Sequence, residues 1–212
     1  MIDLSAVRTD VDAAEVFDLA EACKQYKCIC AFVMPCYMAE LKEMLRDEPE
    51  VGLGGVVGFP SGAQTTTVKV AEVREHLAMG VAELDMVVNV GWLRSAWDEE
   101  VENDIRRVVK AARGTPVKVI LETSYLATEE KVAVCEMSLR SGAAFVKTST
   151  GFGDGGATVQ DIALMHETVG GQMGIKAAGG VRTYGDAVAM IEAGATRIGT
   201  STGPNIIEAA PH

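Results

Sequence analysis

Two lysines stand at the ends of two consecutive apolar runs, and their position suggests carbonyl chemistry. Lys147 closes the run that begins at Ala144, and Lys176 closes the run that begins at Met173. Lysine is rarely buried without a reason. If the two runs are neighbouring parallel strands, the two amines lie side by side. Each then disfavours the charge of the other, so one can lose its proton near neutral pH. A neutral lysine amine is the nucleophile of Schiff-base chemistry, which is the reaction that this pattern predicts.

A carboxylate in another apolar run is the third candidate catalytic residue. Asp85 alternates with the apolar residues Leu84, Met86 and Val87. We expect it within hydrogen-bond reach of Lys176, where it would hold that lysine protonated and leave Lys147 as the amine that gives up its proton. The alternative is a buried carboxylate that pairs with a lysine for structure alone.

The elements that position these residues alternate along the chain, which predicts βα units and a parallel sheet. Glycines 80, 142 and 194 each follow a helical pattern and precede an apolar run, as helix C-terminal glycines do. Three copies of one turn indicate a repeated architecture, so we predict one α/β domain over residues 1–212, a (β/α)8 TIM barrel. A doubly wound open sheet is the alternative. The predicted strands are 2–5, 28–33, 52–58, 83–88, 117–122, 144–148, 174–177 and 197–200, and the predicted helices are 12–25, 36–47, 66–79, 96–112, 129–141, 158–168, 183–193 and 204–209.

Local start signals accompany several of the predicted helices. Asp12 and Thr128 are plausible N-caps, and Asp98 and Glu99 fall in an early helical turn. These signals set the predicted boundaries of three helices.

Polar residues gather where the predicted strands end, which is the face on which barrel enzymes carry their active sites. Asp3 and Ser5 lie on the first predicted strand and Glu122 ends the fifth, while the N-terminal halves of the strands are mostly apolar. Lys118 begins the fifth strand, and we interpret it as a structural residue that lines the lower barrel in an ion pair. Chemistry is therefore expected on one face of the barrel.

Glycine-rich turns follow the last two predicted strands and predict a phosphate site. Barrels commonly bind phosphate there through backbone N–H groups and a short helix. The loop after the sixth strand is expected to close the same site from the other side. Turns need glycine in any case, so the glycines alone carry little weight. The candidate phosphate residues are Thr150, Gly151, Gly179, Gly180, Gly199, Ser201 and Thr202.

Composition excludes several classes of partner. The formal net charge of −11 on 212 residues argues against nucleic acid and anionic membranes. The chain shows no signal-like stretch and no apolar run long enough to span a bilayer, so a cytoplasmic protein is expected. The five cysteines lack zinc-site spacing and are expected to be reduced, buried thiols. We expect no metal and no cofactor. The histidines (His76, His166 and His212) are expected at the surface.

Five segments resemble the deoxyribose-phosphate aldolase family, and the resemblance runs from about residue 3 to residue 203. It implies a class I aldolase that reversibly cleaves 2-deoxy-D-ribose 5-phosphate, a phosphosugar of nucleoside catabolism, into D-glyceraldehyde 3-phosphate and acetaldehyde. By the same resemblance, Lys147 is the Schiff-base lysine, and Lys176 and Asp85 form the proton relay. A homodimer is one assembly that such a chain could form. The matching segments are 57–60 with 65–67, 83–89, 145–152, 174–182 and 193–201.

The chain departs from the family pattern at its first strand and at its end. Relatives commonly carry Asp-His-Thr or Asp-Leu-Thr where this chain has Asp3, Leu4 and Ser5, although Asp3 and Ser5 still offer a carboxylate and a hydroxyl to sugar hydroxyls. The last residues lack the tyrosine that some relatives use in proton transfer. These differences bear on turnover and on the preferred acceptor aldehyde. Two alternative functions stay open: a Schiff-base aldolase for another aldose phosphate, and a phosphosugar-binding barrel without turnover.

Overall fold

Strand pairing closes into a ring, which confirms the predicted (β/α)8 barrel and excludes the open sheet. In a computed structural model that describes residues 1–211, eight parallel strands pair in chain order, and the first pairs with the last. The strands are β1 (Ile2–Ala6), β2 (Cys30–Val33), β3 (Gly52–Val57), β4 (Glu83–Val87), β5 (Val117–Ile120), β6 (Phe145–Lys147), β7 (Gly174–Ala178) and β8 (Arg197–Thr200). The helices are α1 (Ala13–Tyr26), α2 (Met38–Met44), α3 (Thr66–Met79), α4 (Val90–Arg94), α5 (Asp98–Ala111), α6 (Thr128–Arg140), α7 (Val159–Val169), α8 (Tyr184–Glu192) and α9 (Gly203–Glu208).

The apolar core lies between the strands and the surrounding helices. Strand residues that face outward, such as Leu84 on β4 and Val146 on β6, are buried in one continuous apolar cluster with helix residues such as Ile105 and Ile162. Burial of this area is the dominant favourable term in folding. The opposite faces of the same strands point into the barrel, and several of these inward-facing residues are charged.

Local capping explains where the helices begin and end. The Asp12 side chain accepts hydrogen bonds from the N–H groups of Ala14 and Glu15, which confirms the predicted N-cap of α1. Asp98 and Glu99 lie in the first turn of α5, also as predicted. The predicted cap at Thr128 is wrong by one residue.

Thr128 is the first residue of α6, and Ala127 occupies the N-cap position. The Ala127 N–H donates to the Glu130 side chain at 2.7 Å, which is one half of a capping box, and alanine has no side-chain oxygen to make the other half. Glycines 80, 142 and 194 have φ of 83°, 78° and 116°, the left-handed conformation expected where a helix turns into a strand.

Three further features of the structure differ from the sequence predictions. The short helix α4 was not predicted; Asn89 caps it by accepting a hydrogen bond from the N–H of Trp92. The predicted surface position of His76 is wrong, because this side chain is buried and its Nε2 lies 2.8 Å from the carbonyl oxygen of Val56. Cys36 is exposed, whereas the other four thiols are buried and free as expected. His166 is exposed, and His212 lies outside the described residues.

No helix in the described part of the chain is both long and apolar enough to cross a membrane.

Candidate active site

The two lysine amines lie side by side at the C-terminal end of the barrel interior, as the sequence predicts. Lys147 and Lys176 are register partners on the neighbouring strands β6 and β7. Both Nζ atoms donate to the same oxygen, Oδ2 of Asp85, at 2.8 Å. The three side chains are buried. The expected contact between Asp85 and Lys176 is therefore present, and Lys147 shares it.

Asp85 is surrounded by three ammonium groups. Its second oxygen, Oδ1, accepts a hydrogen bond from Lys118 Nζ at 3.0 Å. Burial by itself favours the protonated acid, but the charges of the three lysines outweigh it and hold the pKa of Asp85 well below its usual value. A carboxylate of such low pKa is a weak base, so it serves to orient amines and to balance their charge.

Lys147 has the proton affinity that a nucleophilic amine requires. Burial is the largest cause, and it lowers the pKa of Lys147 to about 8, although the nearby carboxylate of Asp85 opposes it. The ammonium group of Lys176 acts in the same direction as burial. Roughly one-tenth of the amine is then neutral at pH 7, compared with less than one-thousandth for an ordinary lysine.

Lys118 belongs to the site more closely than the sequence suggested. It does line the barrel in ion pairs, with Nζ 2.6 Å from Glu83 Oε2 and 3.9 Å from Asp3 Oδ2. However, it also contacts Asp85, so it is one of the cations that act on the catalytic group. A lysine within an apolar run is the same signal that identified Lys147.

Asp3 and Ser5 on β1 both line the cavity, and Asp3 is also engaged in ion pairs with Lys176 and Arg197. The Asp3 side chain is fully buried; Oδ2 lies 2.7 Å from Lys176 Nζ, and Oδ1 accepts from Arg197 Nη1 at 2.7 Å. Ser5 is partly exposed and lines the cavity. Arg197 was not identified from the sequence, because no local pattern reveals its partner on a strand 194 residues away.

A cavity of about 240 Å³ opens above the lysines. Eleven of the predicted site residues border it together with Phe32, Val56 and two arginines, Arg8 and Arg182, which were not predicted from the sequence. Arg182 brings positive charge to the mouth of the cavity, whereas the guanidinium of Arg8 is paired with Asp10 and Glu15. The lining residues from the predicted site are Asp3, Ser5, Asp85, Lys147, Thr150, Gly151, Lys176, Gly179, Gly180, Gly199 and Ser201.

The two glycine-rich turns occupy one side of this cavity. Gly179 and Gly180 have φ of 88° and 79°, a backbone that other residues rarely adopt. Gly199 makes room for the second lysine, since a Cβ there would lie 2.7 Å from Lys176 Cε. Thr202 stands apart from the cavity lining, and its N–H donates to Thr200 Oγ1 at 3.0 Å.

The loop between β6 and α7 contributes Thr150, Gly151 and Phe152 to the cavity lining. It is held at one end by Glu122, whose Oε2 accepts hydrogen bonds from the N–H (3.1 Å) and the hydroxyl of Thr150. At the other end, Ala157 N–H donates to Gly179 O at 2.9 Å. Phe152 in this loop packs edge to face on Phe59, with ring centroids 5.5 Å apart. Both aromatic rings line the cavity and were not predicted as site residues.

The site therefore combines a partly neutral amine, a second lysine and a carboxylate at the floor of a small cavity with hydroxyl and cationic groups near its mouth. This arrangement suits attack of an amine on an aldehyde and proton transfer next to the adduct. Within residues 1–211, no three His, Cys, Asp or Glu side chains are grouped to hold a metal ion.

Comparison with known proteins identifies relatives along nearly the whole chain. A family model described as DeoC/LacD family aldolase matches residues 1–209. The deoxyribose-phosphate aldolase of Thermococcus kodakarensis is 49% identical over 213 residues, covering 99% of this chain and 95% of that protein. The deoxyribose-phosphate aldolase of Streptococcus sanguinis is 48% identical over 207 residues, covering 98% and 94%. The solved structure of a tetrameric deoxyribose phosphate aldolase from Aeropyrum pernix superposes with a TM-score of 0.90 at 32% identity, covering 98% of this chain and 88% of that one.

Proposed function

Because the chain belongs to the DeoC/LacD family of aldolases, we propose that it is a class I deoxyribose-phosphate aldolase with Lys147 as the Schiff-base lysine. The reaction is the reversible cleavage of 2-deoxy-D-ribose 5-phosphate into D-glyceraldehyde 3-phosphate and acetaldehyde. The observation that carries the proposal is the pair of lysine amines on one carboxylate, with the pKa of Lys147 lowered to about 8. The names of the relatives support the substrate.

The first step is attack of the neutral Lys147 amine on C1 of the open-chain sugar. The carbinolamine loses water and becomes a protonated imine joined to Nζ. Lys176, which lies on the same oxygen of Asp85, is in position to protonate the departing hydroxyl. Burial of the site keeps bulk water from competing with these proton transfers.

Cleavage of the C2–C3 bond follows. A base removes the proton of the C3 hydroxyl, the C3–O bond becomes the carbonyl of glyceraldehyde 3-phosphate, and the bonding electrons move to the iminium and form an enamine. Asp85 is too weak a base for this step. Burial alone would raise its pKa, but the charges of three lysines outweigh burial and hold the pKa well below the usual range. A water molecule held by Asp85 and Lys176 is the base in this proposal.

The same proton then returns to C2 of the enamine and gives the imine of acetaldehyde. Hydrolysis of this imine releases acetaldehyde and regenerates the Lys147 amine. The carboxylate of Asp85 keeps both nitrogens in place throughout, since each lies 2.8 Å from Oδ2.

The 5-phosphate is assigned to the side of the cavity formed by Gly179, Gly180 and Ser201. Glycine backbone allows close approach of N–H groups, and Ser201 adds a hydroxyl. Arg182 borders the same turns and supplies a charge-assisted donor. Thr202 has a smaller part in this assignment than the sequence suggested, because its N–H is donated within the loop.

Trapping with acetaldehyde and borohydride tests the proposal. Reduction of the imine should add a two-carbon group to Lys147, located by peptide mass mapping, and should inactivate the protein. The variant Lys147→Met should gain no such group, whereas Lys131→Met, which loses a lysine outside the barrel, should be trapped as wild type. Labelling at another lysine would remove Lys147 from its proposed role.

Turnover distinguishes the two alternative functions. A phosphosugar-binding barrel without turnover would bind 2-deoxy-D-ribose 5-phosphate and release no glyceraldehyde 3-phosphate. An aldolase for another aldose phosphate would cleave that sugar with the higher kcat/KM. Identity of 46–49% to several deoxyribose-phosphate aldolases favours the deoxysugar.

The proposal extends to assembly and location. The tetramer of the Aeropyrum pernix relative supports a homo-oligomer, and light scattering decides between the homodimer expected from the sequence and a tetramer. Five free cysteines support a reducing, cytoplasmic compartment. The substrate class supports a role in nucleoside catabolism.

A further inference from the structure

An ion-pair group lies beneath the catalytic lysines and takes no direct part in the proposed reaction. Arg197 Nη1 donates to Asp3 Oδ1 at 2.7 Å and to Glu83 Oε2 at 3.0 Å, and Nη2 donates to Glu83 Oε1 at 3.2 Å. The guanidinium lies 5.3 Å from the centre of the Phe145 ring. We refer to Arg197, Glu83 and Asp3 as the floor group. Nothing in the family resemblance assigned a role to Arg197 or Glu83.

Two branches of ion pairs connect the floor group to Asp85. In one, Asp3 Oδ2 lies 2.7 Å from Lys176 Nζ, which lies 2.8 Å from Asp85 Oδ2. In the other, Glu83 Oε2 lies 2.6 Å from Lys118 Nζ, which lies 3.0 Å from Asp85 Oδ1. Asp85 in turn accepts from Lys147. Arg197 is therefore linked to the nucleophile without contact with it.

The charges of this network balance only when Lys147 is neutral. Apart from Lys147, the described residues of the network are three cations and three carboxylates. A proton on Lys147 gives the buried network a net positive charge, which is costly in a medium of low polarity. The cations are Lys118, Lys176 and Arg197, and the carboxylates are Asp3, Glu83 and Asp85.

We propose that Arg197 and Glu83 are positioning residues that set the protonation of Lys147 through this charge balance. This inference rests on the proposed function of Lys147 and adds residues that do not touch the substrate. Removal of one floor charge leaves the network with an excess of the other sign, and Lys147 is the group that can respond near neutral pH. The other charged or titratable groups that face this part of the barrel are Arg8 and Arg182 at the mouth and the Cys30 thiol on β2. Burial raises the pKa of this thiol, so it stays neutral.

The two substitutions are expected to act with opposite signs. Glu83→Gln removes a negative charge, so the protonated form of Lys147 becomes less favourable and its pKa falls. Arg197→Met removes a positive charge, so the pKa of Lys147 rises. Each shift should be about one pH unit, as expected for a unit charge about 10 Å away at an effective dielectric constant of about 20. The double variant is neutral again and should return close to the wild-type pKa.

Reductive trapping measures these shifts directly. The rate at which acetaldehyde and cyanoborohydride modify Lys147 is followed by mass spectrometry across the pH range. The pH at which this rate reaches half its maximum, the trapping midpoint, is compared with that of wild type under the same conditions. Arg197→Lys is the matched control, because it keeps the positive charge and loses the bidentate hydrogen bonds to Glu83. It should keep the wild-type midpoint even if kcat falls.

Opposite shifts in the single variants with recovery in the double variant support the inference. An unchanged midpoint in Glu83→Gln and Arg197→Met overturns it, whatever happens to turnover, because a purely structural role would not move the midpoint. If Arg197→Met does not fold, the direction of the shift in Glu83→Gln decides. Failure to trap Lys147 in the wild type would instead overturn the proposed function, so the two failures are distinguishable.

Discussion

Replacement of Lys176 by methionine should make Lys147 a far weaker nucleophile at neutral pH. Both Nζ atoms lie 2.8 Å from the same oxygen of Asp85, so the two nitrogens are at most about 5.6 Å apart. At that separation and an effective dielectric constant of about 20, two unit charges repel each other by about 3 kcal/mol, which corresponds to about 2 units in pKa. Removal of the Lys176 charge should therefore raise the pKa of Lys147 from about 8 to about 10.

The consequence for catalysis follows from the neutral fraction of the amine. At pH 7 this fraction should fall from about one-tenth to about one-thousandth, so imine formation should slow by about 100-fold. Asp85 acts in the same direction, because it raises the pKa of Lys147 and would no longer be shared with Lys176. The side chain of methionine fills a similar volume, which limits the disturbance of packing.

The assay is the pH dependence of reductive trapping by acetaldehyde, measured beside turnover of the sugar phosphate. Lys131→Met is the matched control, because Lys131 pairs with Asp161 at 2.6 Å outside the barrel. In Lys176→Met, trapping should approach the wild-type rate at about pH 10, whereas turnover should stay low if Lys176 also moves the proton. A trapping midpoint that stays at about 8 or moves down would refute the electrostatic reasoning.

Three further outcomes are expected. Asp85→Asn should let trapping of Lys147 occur at lower pH, since the carboxylate raises the pKa of Lys147. Cleavage, measured by release of glyceraldehyde 3-phosphate, should nevertheless fall by about 100-fold or more, and near-normal cleavage would contradict the proton relay. Ser201→Asp should raise KM for the 5-phosphate sugar by at least about 10-fold, because a charge-assisted hydrogen bond of about 1.5–3 kcal/mol is replaced by repulsion; an equal loss with unphosphorylated deoxyribose would move the phosphate to another loop. Lys69→Met should lower the free energy of unfolding in urea by about 3–5 kcal/mol, because it leaves the buried carboxylate of Asp104, now 2.6 Å from Lys69 Nζ, without a cation. The double variant Lys69→Met with Asp104→Leu should regain most of that loss, and a single variant as stable as wild type would show that the pair contributes nothing.

Helix boundaries were predictable where the signal is local. Helix α3 spans Thr66–Met79, as the sequence predicts, because the Thr65 side chain caps its start and Gly80 adopts the left-handed conformation at its end. Both effects act within one turn of the helix and need no distant partner. The barrel itself was predicted because helix-to-strand turns of this kind recur along the chain.

Residues whose environment depends on a distant partner were placed less well. His76 has the sequence context of an exposed helical residue, yet its ring lies against β3 and donates to Val56. Asp3 lines the cavity, where the sequence predicts that it meets sugar hydroxyls, but its contacts with Lys176 and Arg197 were not predicted. In each case the decisive contact joins residues that no local pattern connects.

The sequence by itself determined the barrel, the face that carries the site and the adjacency of Lys147 and Lys176, because consecutive parallel strands are neighbours and strand ends share one edge. Only the tertiary structure decided that Asp85 forms ion pairs with three lysines and that the floor group lies beneath them. The physical reason is that a pKa depends on burial and on every charge within several ångströms. Those charges come from β1, β4, β5, β7 and β8, and closure of the barrel between β1 and β8 brings Asp3 and Arg197 together.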